Sequence, residues 1–228
     1  MIIALLKRIN YIALFIPRGI IFIIYSTYTN LMDILSALPK PALFKYKILS
    51  YIFEIFYDLF LLISRKNDYK NTGTLTYGST PIHTANNILS KVVTNKTKSF
   101  LDLGCGRGSF VFTAALGYNL EATGIELIDS HIKFIKLLLT IFRKAKINII
   151  KNDFIKEPIP KSDIIFVSNT CFSPFMEILL TQKLESMPKG TIVISLSSPL
   201  ISEKIEIFDE NKYLFSWGKG TVYFGMIK

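Results

Sequence analysis

The fold of this chain is decided by residues 100–110, which read Phe-Leu-Asp-Leu-Gly-Cys-Gly-Arg-Gly-Ser-Phe. A short apolar run ends in Asp102, and Gly104, Gly106 and Gly108 follow at alternate positions before a helical stretch. Glycine lets the backbone turn sharply and lets a ligand approach without a Cβ in the way. The acid at the strand end favours a ligand with a cationic amine. A phosphate-binding loop would end in Lys-Ser/Thr, which is absent here.

Two further predicted strands end in groups that suit an adenosyl ligand, and the strand after them, 163–167, opens into the polar stretch 168–174. Residues 121–126 end in Glu126, whose carboxylate can accept both ribose hydroxyls. The next strand runs into Asp153 and Phe154, which can accept from the adenine amino group and pack on the ring. Taken singly, Asp102 can be a helix cap, Glu126 a solvated acid and Phe154 a core residue. Taken together, the strand ends predict an S-adenosyl-L-methionine pocket.

The rest of the chain after residue 80 alternates strands with helices, which predicts a Rossmann-like α/β domain. We expect a mostly parallel seven-stranded sheet with helices on both faces. The domain should span 71–228. A polar connector at 67–80 joins the N-terminal region to its first helix. The expected strands are 99–103, 121–126, 147–151, 163–167, 190–197, about 205–209 and 220–227, and the expected helices are 82–93, 108–116, 129–144 and 173–186.

Residues 1–70 form a second, apolar and helical region by the same analysis. Residues 9–28 are mostly apolar but carry an arginine at their centre, and residues 48–64 are short for a membrane span. Lys40, Lys45 and Lys47 between them oppose the positive-inside tendency. We therefore expect a shallow re-entrant hairpin or helices that lie in a membrane interface, with the protein on the cytoplasmic side and attached through residues 1–65. A cap packed on the catalytic domain and a signal peptide are the alternatives.

The composition of the chain limits the classes of partner that it can bind. The net charge is +10 from 27 basic and 17 acidic residues, which is compatible with anionic lipid, nucleic acid, an acidic partner or a lysine-rich background. No dense Lys/Arg block marks a specific nucleic-acid face. Cys105 and Cys171 form no disulfide framework, and neither has metal-ligand spacing to His83 or His131. We expect reduced thiols and no metal, and the sequence does not indicate an oligomeric state.

The motifs also resemble a known family when taken in order. They are Tyr77–Thr80, the glycine-rich loop, Gly124–Glu126, Asp153–Phe154, Asp163–Pro174 and Ser216–Tyr223. This succession, over about 75–228, resembles the disruptor-of-telomeric-silencing family of non-SET protein lysine methyltransferases and its prokaryotic relatives. Two departures are Ser79, where the family has Glu, and Ser168, where it has the first of two Asn. The apolar N-terminal region is similar to that of membrane-anchored lysine methyltransferases of ATP synthase c-subunits.

The resemblance implies a role for each matching residue. Tyr77, Thr80 and Ser168 would contact the cofactor, Asp102 would hold its amine, Glu126 its ribose, and Asp153 with Phe154 its adenine. Asn169 and Phe172 would line the channel in which a lysine amine of a protein substrate meets the methyl group. Desolvation in that channel would disfavour the charged amine. The alternatives are a methyltransferase of a lipid, quinone or other amphiphile at a membrane, and a degenerate fold that serves as an interaction module.

Overall fold

The computed structural model describes residues 18–64 and 78–228, which form two N-terminal helices and an α/β domain. Tyr77 and residues 1–17 and 65–76 lie outside the described residues. In chain order the elements are α1 (Arg18–Ala37), α2 (Pro41–Ser64), α3 (Ile82–Val92), β1 (Ser99–Leu103), α4 (Ser109–Tyr118), β2 (Glu121–Glu126), α5 (Asp129–Leu139), β3 (Ile147–Lys151), β4 (Ile164–Ser168), α6 (Pro174–Leu184), β5 (Ile192–Leu196), β6 (Ile205–Phe215) and β7 (Gly218–Ile227).

The seven strands form one sheet in the order β3-β2-β1-β4-β5-β7-β6. Strands β1 to β5 pair in parallel, and β7 runs antiparallel to both β5 and β6. The predicted mostly parallel, Rossmann-like sheet is therefore confirmed. Because β1 to β4 are parallel neighbours, the polar groups that follow them lie along one edge of the sheet.

Successive side chains of a strand point to opposite faces, and each face of this sheet carries its own apolar cluster. Phe100 of β1 packs in one cluster with residues of α3, α4 and α5. Leu101 and Leu103 of the same strand pack in the other cluster with Leu180 and Leu184 of α6. Helices therefore cover both faces, as the alternating sequence predicts.

The N-terminal helices pack on the first of these clusters. Tyr46 of α2 stacks on Phe112 with ring centroids 4.3 Å apart. Asp33 of α1 accepts hydrogen bonds from the backbone N–H of His83 at 2.9 Å and from Lys47 Nζ at 3.0 Å. Within the described ranges 18–64 and 78–228, no helix is both long and apolar enough to cross a membrane.

Four predicted boundaries are wrong. Helix α5 ends at Leu139 rather than 144, because the chain turns there through hydrogen bonds from Ile141 and Phe142 to Leu138 and then enters β3. The last two strands form a longer hairpin than 205–209 and 220–227, since pairing continues to the Phe215–Gly218 register. Helix α2 begins at Pro41, so Lys45 and Lys47 lie on this helix and not between helices.

Candidate active site

The glycine-rich loop adopts a backbone conformation that other residues rarely take. Gly104, Gly106 and Gly108 have φ angles of 84°, 55° and 84°. The N–H groups of Gly104 and Cys105 both donate to the carbonyl of Ile125, which ties the loop to β2. A Cβ at Gly124 would lie 2.6 Å from Cys105 Sγ, so β2 must carry glycine where the loop crosses it. The loop therefore lies directly on the end of β2, with little side-chain bulk above it.

Asp102 is a buried acid near the end of β1, with 4% of its surface exposed. No residue in the described part of the chain donates a hydrogen bond to its carboxyl group. Burial, and to a lesser degree the nearby charge of Glu126, raises the pKa of Asp102 from 3.8 to about 8. A cationic group beside this carboxyl would stabilise its ionised form, which makes it a candidate binding group.

Glu126 is buried, so the interpretation as an ordinary solvated acid is wrong. Its Oε1 accepts from the N–H groups of Leu127 and Ile128 at 2.7 and 2.8 Å, and its Oε2 accepts from Gly106 N–H at 2.7 Å. A carboxylate has about four acceptor positions. His131 Nδ1 lies 3.6 Å from Oε2. Glu126 therefore fixes the loop, and Oε2 keeps acceptor capacity for a hydroxyl of a ligand.

Two aromatic rings lie beside this loop. A Cβ at Gly104 would be 3.8 Å from the ring of Phe154, and the rings of Phe154 and Phe172 stack with centroids 6.0 Å apart. Asp153 Oδ1 accepts from Ile155 N–H at 3.0 Å, and its Oδ2 is 3.4 Å from Lys156 Nζ. The structure thus brings the predicted adenine-side and channel-side aromatic residues together, past the ends of β3 and β4.

Asn169 follows β4 and is 2% exposed. Its Nδ2 donates to Glu177 Oε1 at 2.7 Å and to Ser198, at 2.7 Å to Oγ and 3.1 Å to the carbonyl oxygen. Its Oδ1 is buried and has no hydrogen-bond partner among the residues described. Buried polar atoms are normally paired, so this oxygen is a candidate acceptor for a ligand.

The remaining predicted site residues make fewer contacts with the groups described above. The half-buried Thr80 accepts a hydrogen bond on its backbone oxygen from Ser109 Oγ at 2.7 Å, which places its loop at the start of α4. Ser168 is exposed, and its Oγ lies 3.5 Å from Thr170 Oγ1. A Cβ at Gly78 would lie 2.5 Å from Trp217, which stacks on Phe215. Tyr77 lies outside the described residues, so its role stays a prediction.

Sequence reasoning missed three residues next to this site. Arg107, inside the glycine-rich loop, forms an ion pair with Asp58 of α2 through two nitrogen–oxygen contacts. Glu177 and Ser198 hold the amide of Asn169. A carboxylate in the first turn of the helix after Asn169 was a usable signal for Glu177. Nothing in the spacing indicated Ser198, which is 29 residues from Asn169.

The sequence of the chain is similar to the sequences of known proteins. The model of the family described as "Histone methylation protein DOT1" matches residues 61–216. A histone-lysine N-methyltransferase specific for H3 lysine-79 from Drosophila melanogaster is 28% identical in an alignment that covers 72% of this chain and 10% of the relative. The enzyme of the same name from Aspergillus fumigatus is 25% identical over 57% of this chain and 29% of the relative. This chain therefore spans a third or less of these two relatives.

Solved structures share the fold at low identity. TrmN from Thermus thermophilus superposes with a TM-score of 0.56 at 14% identity, over 71% of this chain and 52% of that one. An RNA methyltransferase from Salinibacter ruber, solved with S-adenosyl-L-homocysteine, gives 0.55 at 20% identity, over 65% and 93% of the two chains. These similarities support the Rossmann-like methyltransferase fold.

Proposed function

The chain belongs to the family of histone methylation protein DOT1, and from this premise we propose that it is an S-adenosylmethionine-dependent methyltransferase of protein lysine side chains. The observation that carries the proposal is a pair of buried acceptors at neighbouring strand ends to which no described residue donates a hydrogen bond. They are the carboxyl of Asp102 on β1 and Oδ1 of Asn169 after β4. Strands β1 and β4 pair directly. The amino group of the cofactor and the lysine amine that receives the methyl group would therefore both approach this edge of the sheet.

The residues present fit the cofactor. Asp102 would pair with its amino group, Oε2 of Glu126 would accept from its ribose, and the ring of Phe154 would lie on its adenine with Asp153 nearby. The left-handed glycines keep side chains out of its way. When bound, S-adenosylmethionine supplies an electrophilic methyl group. Tyr77, Thr80 and Ser168 complete the proposed set of contacts.

The protein residues would prepare the lysine for attack. A free lysine amine has a pKa of about 10.4 and must lose its proton to become a nucleophile. Phe172, whose ring stacks on that of Phe154, would line the channel with an apolar surface that excludes water and so disfavours the ammonium form. Oδ1 of Asn169 would accept an N–H of the amine and so direct its lone pair toward the methyl group. Alignment of this kind is the main contribution that an enzyme makes to an in-line displacement.

The names of the relatives describe methylation of histone H3 at lysine 79. Because this chain covers only a small part of those proteins, we restrict the proposed substrate to a lysine of a protein.

We also propose that the exposed apolar residues of α1 and α2 contact a membrane surface. They include Leu31 and Leu35 on α1 and Ile55 and Phe56 on α2.

Transfer of a radiolabelled methyl group from S-adenosylmethionine to a cell extract tests the function. We expect label in the protein fraction, resistant to base and recovered as methyl-lysine after hydrolysis. Label in the organic phase would replace the proposal with methylation of a small amphiphile. Absence of label, together with intact binding of S-adenosylhomocysteine, would indicate a degenerate fold. Asp102→Ala serves as the control that abolishes cofactor binding.

A further inference from the structure

We propose that Glu177 is a positioning residue that fixes the amide of Asn169, so that its carbonyl and not its NH₂ group faces the lysine amine. This inference rests on the proposed function, because it assigns the orientation of a group in that same site. It concerns a residue that touches neither the cofactor nor the methyl group and acts through Asn169.

The orientation of the amide follows from the chemistry of its partners. An ionised carboxylate can only accept hydrogen bonds, so the atom of Asn169 that lies 2.7 Å from Glu177 Oε1 must be the nitrogen. The backbone carbonyl of Ser198, 3.1 Å from the same nitrogen, imposes the same direction. The carboxylate of Glu177 and the carbonyl and hydroxyl oxygens of Ser198 thus hold the NH₂ group of the amide. Oδ1 is left without a partner among the described residues.

The same geometry explains why the orientation matters for the reaction. A lysine amine brings N–H donors to the site, and an amide oxygen accepts from them. If the amide were reversed, its NH₂ group would face the N–H donors of the amine, or it would donate to the lone pair that must attack the methyl group, and neither arrangement is productive. A buried donor or acceptor that is left without a partner is costly. The hydrogen bond to Glu177, together with the one to the carbonyl of Ser198, therefore favours the productive orientation.

Glu177 is itself held in place from two sides. Ser173 caps α6 by accepting from Met176 N–H at 3.3 Å, and Glu177 lies in the first turn of that helix. Ser198 Oγ donates to Glu177 Oε1. The preceding residue, Ser197, has a φ of 92°, which is rare for a residue other than glycine. Backbone strain of this kind is concentrated at functional sites, and here it directly precedes the residue that contacts both Glu177 and Asn169.

Three variants separate positioning from charge and from general structure. Glu177→Ala removes the acceptor, and we expect kcat/KM for methyl transfer to fall by about 10- to 100-fold, mostly in kcat, as the loss of a buried partner implies. In Glu177→Gln the side-chain carbonyl can still accept from Asn169, so we expect activity within about 5-fold of the wild type. Glu185→Ala removes the same charge from the far end of α6 and is the matched control. None should change the affinity for S-adenosylhomocysteine.

The amide itself gives a readout that does not depend on turnover. With ¹⁵N-asparagine labelling, the side-chain NH₂ signals of Asn169 can be assigned by their absence in Asn169→Asp. We expect slow hydrogen exchange of these protons in the wild type and in Glu177→Gln, and exchange at least 10-fold faster in Glu177→Ala. If Glu177→Ala keeps the wild-type exchange rate or the wild-type kcat, the inference is wrong. If the wild type transfers no methyl group, the proposed function fails, while the exchange rates still decide whether Glu177 fixes the amide.

Discussion

Asp102→Asn should stabilise the ligand-free protein at neutral pH and at the same time weaken cofactor binding. The reason is that the carboxyl of Asp102 is buried next to Glu126, and both effects raise its pKa to about 8, burial being the larger. Asparagine has nearly the same shape and carries no ionisable group. The substitution therefore removes a carboxyl that is costly to ionise in the folded state, and it also removes the proposed partner of the cofactor amine.

The size of the effect follows from the two pKa values. In the unfolded chain Asp102 ionises near its ordinary value of 3.8, while in the folded protein it stays protonated up to about 8. The unfolded state therefore binds fewer protons between these values, and the free energy of unfolding falls as pH rises from about 4 to about 8. The pH of 7 lies roughly three units above the unfolded-state pKa of 3.8. Keeping Asp102 protonated in the folded protein therefore lowers the free energy of unfolding at pH 7 by about 4 kcal/mol. Asp102→Asn should recover an amount of that order.

Urea unfolding of both proteins from pH 5 to pH 9 measures this effect. We expect the wild type to lose stability toward pH 8 and Asp102→Asn to show a flatter profile with a higher midpoint at pH 7. Calorimetry with S-adenosylhomocysteine adds a second test. Because Asp102 must release its proton to pair with the ligand amine, wild-type affinity should rise by about tenfold per pH unit from pH 6 to pH 7. Parallel stability profiles, or a variant less stable than the wild type, would refute the reasoning.

Three further predictions address the loop, the N-terminal helices and the apolar surface. Gly124→Ala places a Cβ 2.6 Å from Cys105 Sγ, so urea unfolding should show a loss of about 1–3 kcal/mol, part of which Cys105→Ala restores; additive effects would contradict the contact. Burial opposes the charge of Asp33, but bonds from His83 and Lys47 lower its pKa, so the stability that it provides should be present above pH 4 and lost below it. Asp33→Asn should then cost about 3–5 kcal/mol at pH 7, and an unchanged unfolding midpoint would disprove this account. Co-sedimentation with anionic vesicles should retain the full chain and lose a variant with Leu35→Asp and Phe56→Asp, and a wild type that stays in the supernatant would rule out membrane contact.

The succession of strands and helices along the chain and the position of the glycine-rich loop could be predicted because they depend on local signals. Alternation of strands and helices determines parallel pairing, and a strand ending in an acid before Gly104 determines where the loop lies. Boundaries that depend on tertiary pairing could not be obtained in this way. The hairpin of β6 and β7 extends to Phe215 although polar residues from Asp209 to Lys212 interrupt the apolar pattern, because the outer strand of a sheet tolerates them.

The chemistry of the site also separates into features that local sequence predicts and features that depend on tertiary contacts. The sequence indicated which side chains lie at the strand ends, since each one directly follows its strand. It did not indicate which hydrogen bonds those side chains form with other segments. Glu126 was expected to face a ligand, yet three backbone N–H groups occupy most of its acceptor capacity. Asn169 was expected to orient an amine, and its ability to do so depends on Glu177 and Ser198, which come from two other segments. Residue type thus predicts the chemistry available at this edge of the sheet, and only the hydrogen bonds between segments decide which atoms remain free to perform it.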